Sequence, residues 1–183
     1  MSLPRFPKRY SDLVARLRVP GGFMLVAAFL WFSSPTPASL AWGLPVAAAG
    51  LCLRAWAAGH ITKDRRLTTS GPYAFVRNPL YLGTLLAAAG FVIASRSLLL
   101  AGLFAAVFLL VYLPVIELEE QHLRDLFPEF DTYADRVPML LPRWRGDGAG
   151  PGFSWRQYIY NREYQALAGF VAGSLLLAWK AWR

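Results

Sequence analysis

The segment GPYAFVRNPLYLG, residues 71–83, sets an Arg, an Asn, two Pro, two Gly and two Tyr just before the apolar run LLAAAGFVIAS, residues 85–95. A membrane anchor needs none of that chemistry. Asn78-Pro79 reads as a helix start: Asn is a favoured N-cap, and Pro fits the first helical position, where its missing N–H is no loss. The helix then begins with free N–H groups and the positive end of its dipole, with Arg77 beside it, a combination that suits an anion. Gly71-Pro72 begins a turn that brings Tyr73 back towards the same point. A second polar cluster lies in IELEEQHLRDLFPEFDTYADRVPMLLP, residues 116–142. Glu117, Glu120 and Arg124 share a helical face, so Glu120–Arg124 reads as a surface ion pair. Glu119 falls on the side of Val115, Ile116 and Leu123, where a carboxylate is costly unless it has a partner or a task.

These residues need elements to hold them, and the composition says where. Of 183 residues, 56% are hydrophobic and only 16% charged, which suits a chain solvated by lipid. The net charge of +8 forms no stripe on a soluble face, so nucleic acid is not an expected partner. Five stretches read as membrane helices: 19–33, 39–58, 80–95, 97–116 and 163–182. The fold expected is an all-α, polytopic integral-membrane helical bundle forming one domain, 1–183. Residues 1–18, with Tyr10, Leu13, Val14 and Leu17 on one face, read as an interfacial amphipathic helix. Basic residues gather in 1–18, 59–79 and 117–162. The positive-inside rule therefore puts the N-terminus and the polar loops in the cytoplasm. Short connections make the second, third and fourth crossings antiparallel neighbours, and Gly83, Ala87 and Gly90 permit close packing. Cys52 reads as a small buried hydrophobe, and no Cys/His cluster has metal-ligand spacing, so no metal is expected. GDGAGPG, 146–152, lacks the G-x-G-x-x-G spacing and reads as a link. Arg54, alone in the second crossing, is either a snorkelling side chain or part of a cytoplasmic cavity.

Taken in order, Gly59-His60, LTTSGPY (67–73), RNPLYLG (77–83), Glu119-Glu120 and F-P-E-F-x-x-Y-x-x-R-V-P with L-L-P (127–142) resemble the isoprenylcysteine carboxyl methyltransferase and phospholipid N-methyltransferase group. The resemblance covers about residues 50–142, leaving 163–182 as an extra C-terminal transmembrane helix. The family pattern usually reads R-H-P-x-Y; Asn78 stands in place of the His and cannot titrate. The resemblance implies an integral-membrane methyltransferase using S-adenosylmethionine, in a bacterial-type inner membrane or an endomembrane, with its site facing the cytoplasm. It implies a cofactor site of His60, Lys63, Gly71, Pro72, Tyr73, Arg77, Asn78, Pro79, Tyr81, Gly83, Glu119 and Glu120. Arg77, Glu119 and Glu120 are its candidate catalytic residues. The partners implied are membrane lipids and a lipophilic methyl acceptor: a prenylated carboxylate, a phospholipid amine or a small thiol. Two other functions stay open, an NADPH-dependent reductase of sterol-reductase type and a catalytically inactive lipid-binding protein. The residues fix no oligomeric state.

Overall fold

A computed structural model describes residues 8–62, 65–143 and 150–183, with the side chains of 8, 9, 11–13 and 15–20 outside that description. Among the described residues every regular element is helical. In chain order these are α1 (Lys8–Phe32), α2 (Pro37–Ala58), a 3-10 turn (Gly71–Ala74), α3 (Pro79–Ser95), α4 (Leu98–Leu126), α5 (Phe130–Arg136), α6 (Trp155–Tyr160) and α7 (Tyr164–Ala181). Two of them, α2 and α4, are long and apolar enough to cross a bilayer; 21–32 and Pro79–Ser95 are apolar but shorter. All five stretches expected as crossings are helical. The first is the C-terminal half of α1, which runs from Lys8 without a break, so 8–18 is continuous with that crossing and not a separate helix; residues 1–7 of the expected interfacial helix lie outside the described residues.

The centre of the fold is the antiparallel pair α2–α3, and small residues make it. Gly43, Ala47 and Gly50 on α2 meet Ala94, Gly90, Ala87 and Gly83 on α3 in descending order. A Cβ at Gly90 would stand 2.6 Å from the Gly43 carbonyl oxygen and 2.7 Å from Ala47 Cα. In lipid, helices associate through van der Waals contact, and that contact requires backbones to approach this closely. Gly90→Leu is therefore expected to cost about 1–3 kcal/mol by overpacking. Thermal unfolding in detergent reads it; a melt like that of the unaltered protein would mean the two helices do not pack along this seam.

One end of the bundle is tied by hydrogen bonds to backbone carbonyls. Ser34 N–H donates to the Ser95 carbonyl at 2.9 Å, and Ser39 Oγ donates to that of Ala94 at 2.8 Å. Lys180 Nζ donates to the Leu30 and Ser33 carbonyls, at 2.9 and 2.6 Å, satisfying the open C-terminus of α1. Beneath these bonds Leu40, Ala94 and Leu177 form a buried cluster with Phe29, Leu44 and Phe91 around it. The exterior is apolar: Phe23, Met24, Trp31, Trp42, Leu98 and Leu175 are all well exposed, a surface suited to lipid. Cys52 belongs to this exterior and is not buried as expected.

Candidate active site

At the other end, the loop after α2 folds over the start of α3. Gly71 has φ of +59°, and a Cβ there would meet the His60 ring at 2.5–2.6 Å. Conformation and space both demand glycine. His60 is buried, with Nδ1 2.9 Å from the Trp56 carbonyl oxygen, so it and Pro72 shape the turn from behind. Tyr133, on α5, donates its hydroxyl to the Tyr73 carbonyl at 2.7 Å. The strand-like segment after α5 runs past the entry to α3: Arg77 N–H donates to Pro138 O at 2.8 Å and Asn78 N–H to Met139 O at 3.2 Å.

Arg77 fastens this cap. Its Nε and Nη2 donate to the two Glu120 carboxylate oxygens at 2.9 and 3.0 Å; its Nη1 donates to the Ala134 and Val137 carbonyls at 2.8 and 2.9 Å. Four of the five guanidinium N–H groups are thus occupied within the protein. Glu120 is 3% exposed and also accepts from Asn78 Nδ2 at 2.9 Å. These contacts correct three expectations. The expected Glu120–Arg124 ion pair is present at 3.7 Å, but its carboxylate is buried, not at the surface, and is held more closely by Arg77, while Arg124 also pairs with Asp131. Asn78 does not cap α3 with its side chain, although Pro79 does begin the helix. Its amide instead takes up a carboxylate lone pair. Arg77 is engaged with the protein and has little left for an anion.

Between this cap, α1, α3 and α4 lies a cavity of about 860 Å³. Of the residues expected at a site, Tyr73, Arg77, Asn78, Tyr81, Glu119 and Glu120 line it. His60, Gly71, Pro72, Pro79 and Gly83 are not among its lining residues. Gly83 faces α2, where a Cβ would lie 2.6 Å from Arg54 Cγ. Lys63 lies outside the described residues. Glu119 is exposed to the cavity, not to an apolar side, and accepts from the Tyr81 hydroxyl at 2.8 Å. The Tyr81 ring meets that of Tyr112 edge-on, with centroids 6.0 Å apart. Tyr112 closes a π-helical turn, Phe108–Tyr112, inside α4, a feature frequent beside functional sites.

Two further features bear on ligands. Tyr73 is 6% exposed and lines the cavity, and its hydroxyl has no hydrogen-bond partner among the described residues. Burial pushes its phenol well above the usual range, as it does that of Tyr133, so both stay protonated donors at neutral pH. Arg54 also lines the cavity, held by Glu163, which precedes α7. Sequence reasoning left Arg54 open and missed Glu163, Tyr112 and Thr84. The signal available was that Arg54 is the one charge in α2 and Glu163 the one acid in 150–183.

Residues 22–129 match the profile of a family described as phospholipid methyltransferase. The chain is 40% identical over 99 residues to the cobalt-zinc-cadmium resistance protein CzcN of Cupriavidus metallidurans, covering 51% of this chain and 46% of that protein. It is 40% identical over 92 residues to the nickel-cobalt-cadmium resistance protein NccN of Alcaligenes xylosoxydans xylosoxydans, covering 49% and 43%. It is 42% identical over 85 residues to methanethiol S-methyltransferase 1 of Bradyrhizobium diazoefficiens, covering 44% and 27%. The chain thus spans less than half the length of each of these relatives. No solved structure matches it significantly.

Proposed function

The chain belongs to the phospholipid methyltransferase family, and on that premise we propose that it transfers a methyl group from S-adenosylmethionine to a lipophilic acceptor at the cytoplasmic face of a membrane. In this reading it is one integral-membrane domain of five crossings, with the N-terminus and the cavity on the cytoplasmic side, where the basic loops 59–79 and 117–162 lie. Residues 50–142 carry the methyltransferase core and 163–182 the added crossing.

The observation that carries the reading is the cavity wall of Tyr73, Tyr81, Tyr112 and Glu119. Those groups suit the cofactor. A neutral, unpartnered phenol at Tyr73 offers a hydrogen bond to a polar ligand atom. Glu119 offers an acceptor to an ammonium or a hydroxyl, and the ring faces of Tyr81 and Tyr112 favour a cation. The chemistry that bound S-adenosylmethionine supplies is an electrophilic methyl group. The protein's part is alignment and the exclusion of water, which asks for no nucleophile of its own. Arg77 and Glu120 serve that part by fastening the cap, and Glu119 is the carboxylate that touches ligand. Phe23 and Val26 of α1 line the cavity on its apolar side, where an acyl or prenyl tail enters from the bilayer.

The acceptor decides what Glu119 must do. A carboxylate is already ionised at neutral pH and needs no base, whereas an amine or thiol must lose a proton, and Glu119 stands where it would take it. The family match favours neither the reductase nor the inactive-binder reading.

The test is thermal unfolding of the detergent-purified protein with S-adenosylmethionine, S-adenosylhomocysteine or NADPH. Either of the first two at ~100 times its dissociation constant should stabilise the fold by ~2.7 kcal/mol. Labelled methyl should then reach phosphatidylethanolamine, an isoprenylcysteine or a small thiol. A shift with NADPH alone, or binding with no transfer to any of the three, would overturn the reading.

A further inference from the structure

Residues 150–163, beyond the family match, are stitched to the end of α2. Ser154 N–H donates to the Gly59 carbonyl at 2.9 Å, and the Phe153 ring meets that of His60 with centroids 6.3 Å apart. Asn161 Nδ2 donates to the Ala58 and Ile61 carbonyls at 2.9 and 3.2 Å, closing the open C-terminus of α2. Four residues further into α2, the last contact differs in kind. Arg54 donates from Nε and Nη2 to the two oxygens of Glu163, at 2.6 and 2.9 Å, and from Nη1 to Thr84 Oγ1 on α3. Glu163 is 6% exposed, whereas the Arg54 side chain is 25% exposed and forms part of the cavity wall. The other contacts fix backbone; this one sets the charge of the cavity.

We propose that Glu163 is a positioning residue of the cofactor site, holding Arg54 flat in the cavity wall and cancelling its charge there, so that the cavity accepts a cationic cofactor. The inference rests on the methyltransferase reading. Electrostatics supply the reason. S-adenosylmethionine carries a sulfonium that S-adenosylhomocysteine lacks, and an unpaired guanidinium in the same low-dielectric cavity would repel only the first. Arg77, the other arginine of the cap, is neutralised in the same bidentate way by Glu120. Two of the three arginines that line the cavity are thereby neutralised; the third, Arg66, is exposed, and the Glu119 side chain faces the cavity.

The test compares dissociation constants of the two ligands by equilibrium dialysis on the full chain in detergent. Glu163→Gln leaves Arg54 unpaired and should raise the ratio of the S-adenosylmethionine constant to the S-adenosylhomocysteine constant about fivefold. Arg54→Met leaves Glu163 unpaired and should lower that ratio by a similar factor. The paired variant Arg54→Met/Glu163→Gln, which buries no lone charge, should restore it. A merely structural role would weaken both ligands together and leave the ratio unmoved in every variant. If Glu163→Gln fails to fold, the opposite sign expected for Arg54→Met still decides the matter. Binding by the unaltered protein with an unmoved ratio overturns this inference alone; binding of neither ligand by the unaltered protein overturns the methyltransferase reading and this inference with it.

Discussion

Arg77→Ala is expected to destabilise the protein by about 3–5 kcal/mol and to end methyl transfer for that reason, not through a lost ligand contact. The side chain spans three parts of the cap: its own loop, Glu120 of α4, and the carbonyls of Ala134 and Val137 at the end of α5. Removing it leaves the buried Glu120 carboxyl with Asn78 as its nearest donor and takes the guanidinium donors away from two carbonyls. Arg77→Lys should recover little, because one ammonium cannot reproduce a planar fork that makes four bonds in fixed directions. Arg77→Met/Glu120→Leu should melt well above Arg77→Ala, since replacing both partners leaves no buried lone charge. Thermal unfolding of the four proteins in detergent gives the comparison. An Arg77→Ala protein that melts like the unaltered one, yet no longer binds cofactor, would return Arg77 to the ligand site.

The difference between what Arg77 was expected to do and what it does shows where local reading stops. Pro79 as the first residue of α3 and the small-residue face of α3 at Gly83, Ala87 and Gly90 were legible, because each depends on the chain within a few turns. The sidedness of α4 was not. Glu117, Glu120 and Arg124 have the spacing of a solvated stripe, and nothing within that helix says that the loop at 77–78 packs onto it. Burial of Glu120 follows from a partner 43 residues earlier, Arg77, whose own position depends on the Pro138–Met139 backbone. The side carrying Val115 and Leu123 was read as apolar and proves to face the cavity at Glu119 and Leu123. Glu163 lay beyond the reach of the motifs. The one acid after residue 150 and the one charge in α2 can be seen in the sequence, but only the fold brings them within 2.6 Å.

Glu119→Gln should leave the fold intact and change the chemistry. Glu119 is exposed to the cavity, makes no ion pair among the described residues, and is held by the Tyr81 hydroxyl alone. A glutamine keeps an oxygen for that bond. The melting midpoint should therefore move by no more than about 2 °C, as expected for an accessible substitution in a chain of this size. Turnover separates the acceptors. With an amine or a thiol, the proton released as the new bond forms needs an acceptor, and the amide cannot supply one; a loss of about 100-fold or more is expected. With a prenylated carboxylate no proton leaves, so any loss reflects only weaker cofactor binding and appears as a raised dissociation constant. The same variant assayed on all three acceptors thus reports two roles at once. A large loss confined to the amine or thiol makes Glu119 the base. An equal loss on every acceptor, matched by weaker binding of S-adenosylmethionine, makes it a cofactor ligand. Full activity on whichever acceptor the unaltered protein methylates would remove Glu119 from the site and leave Tyr73 as its first polar contact.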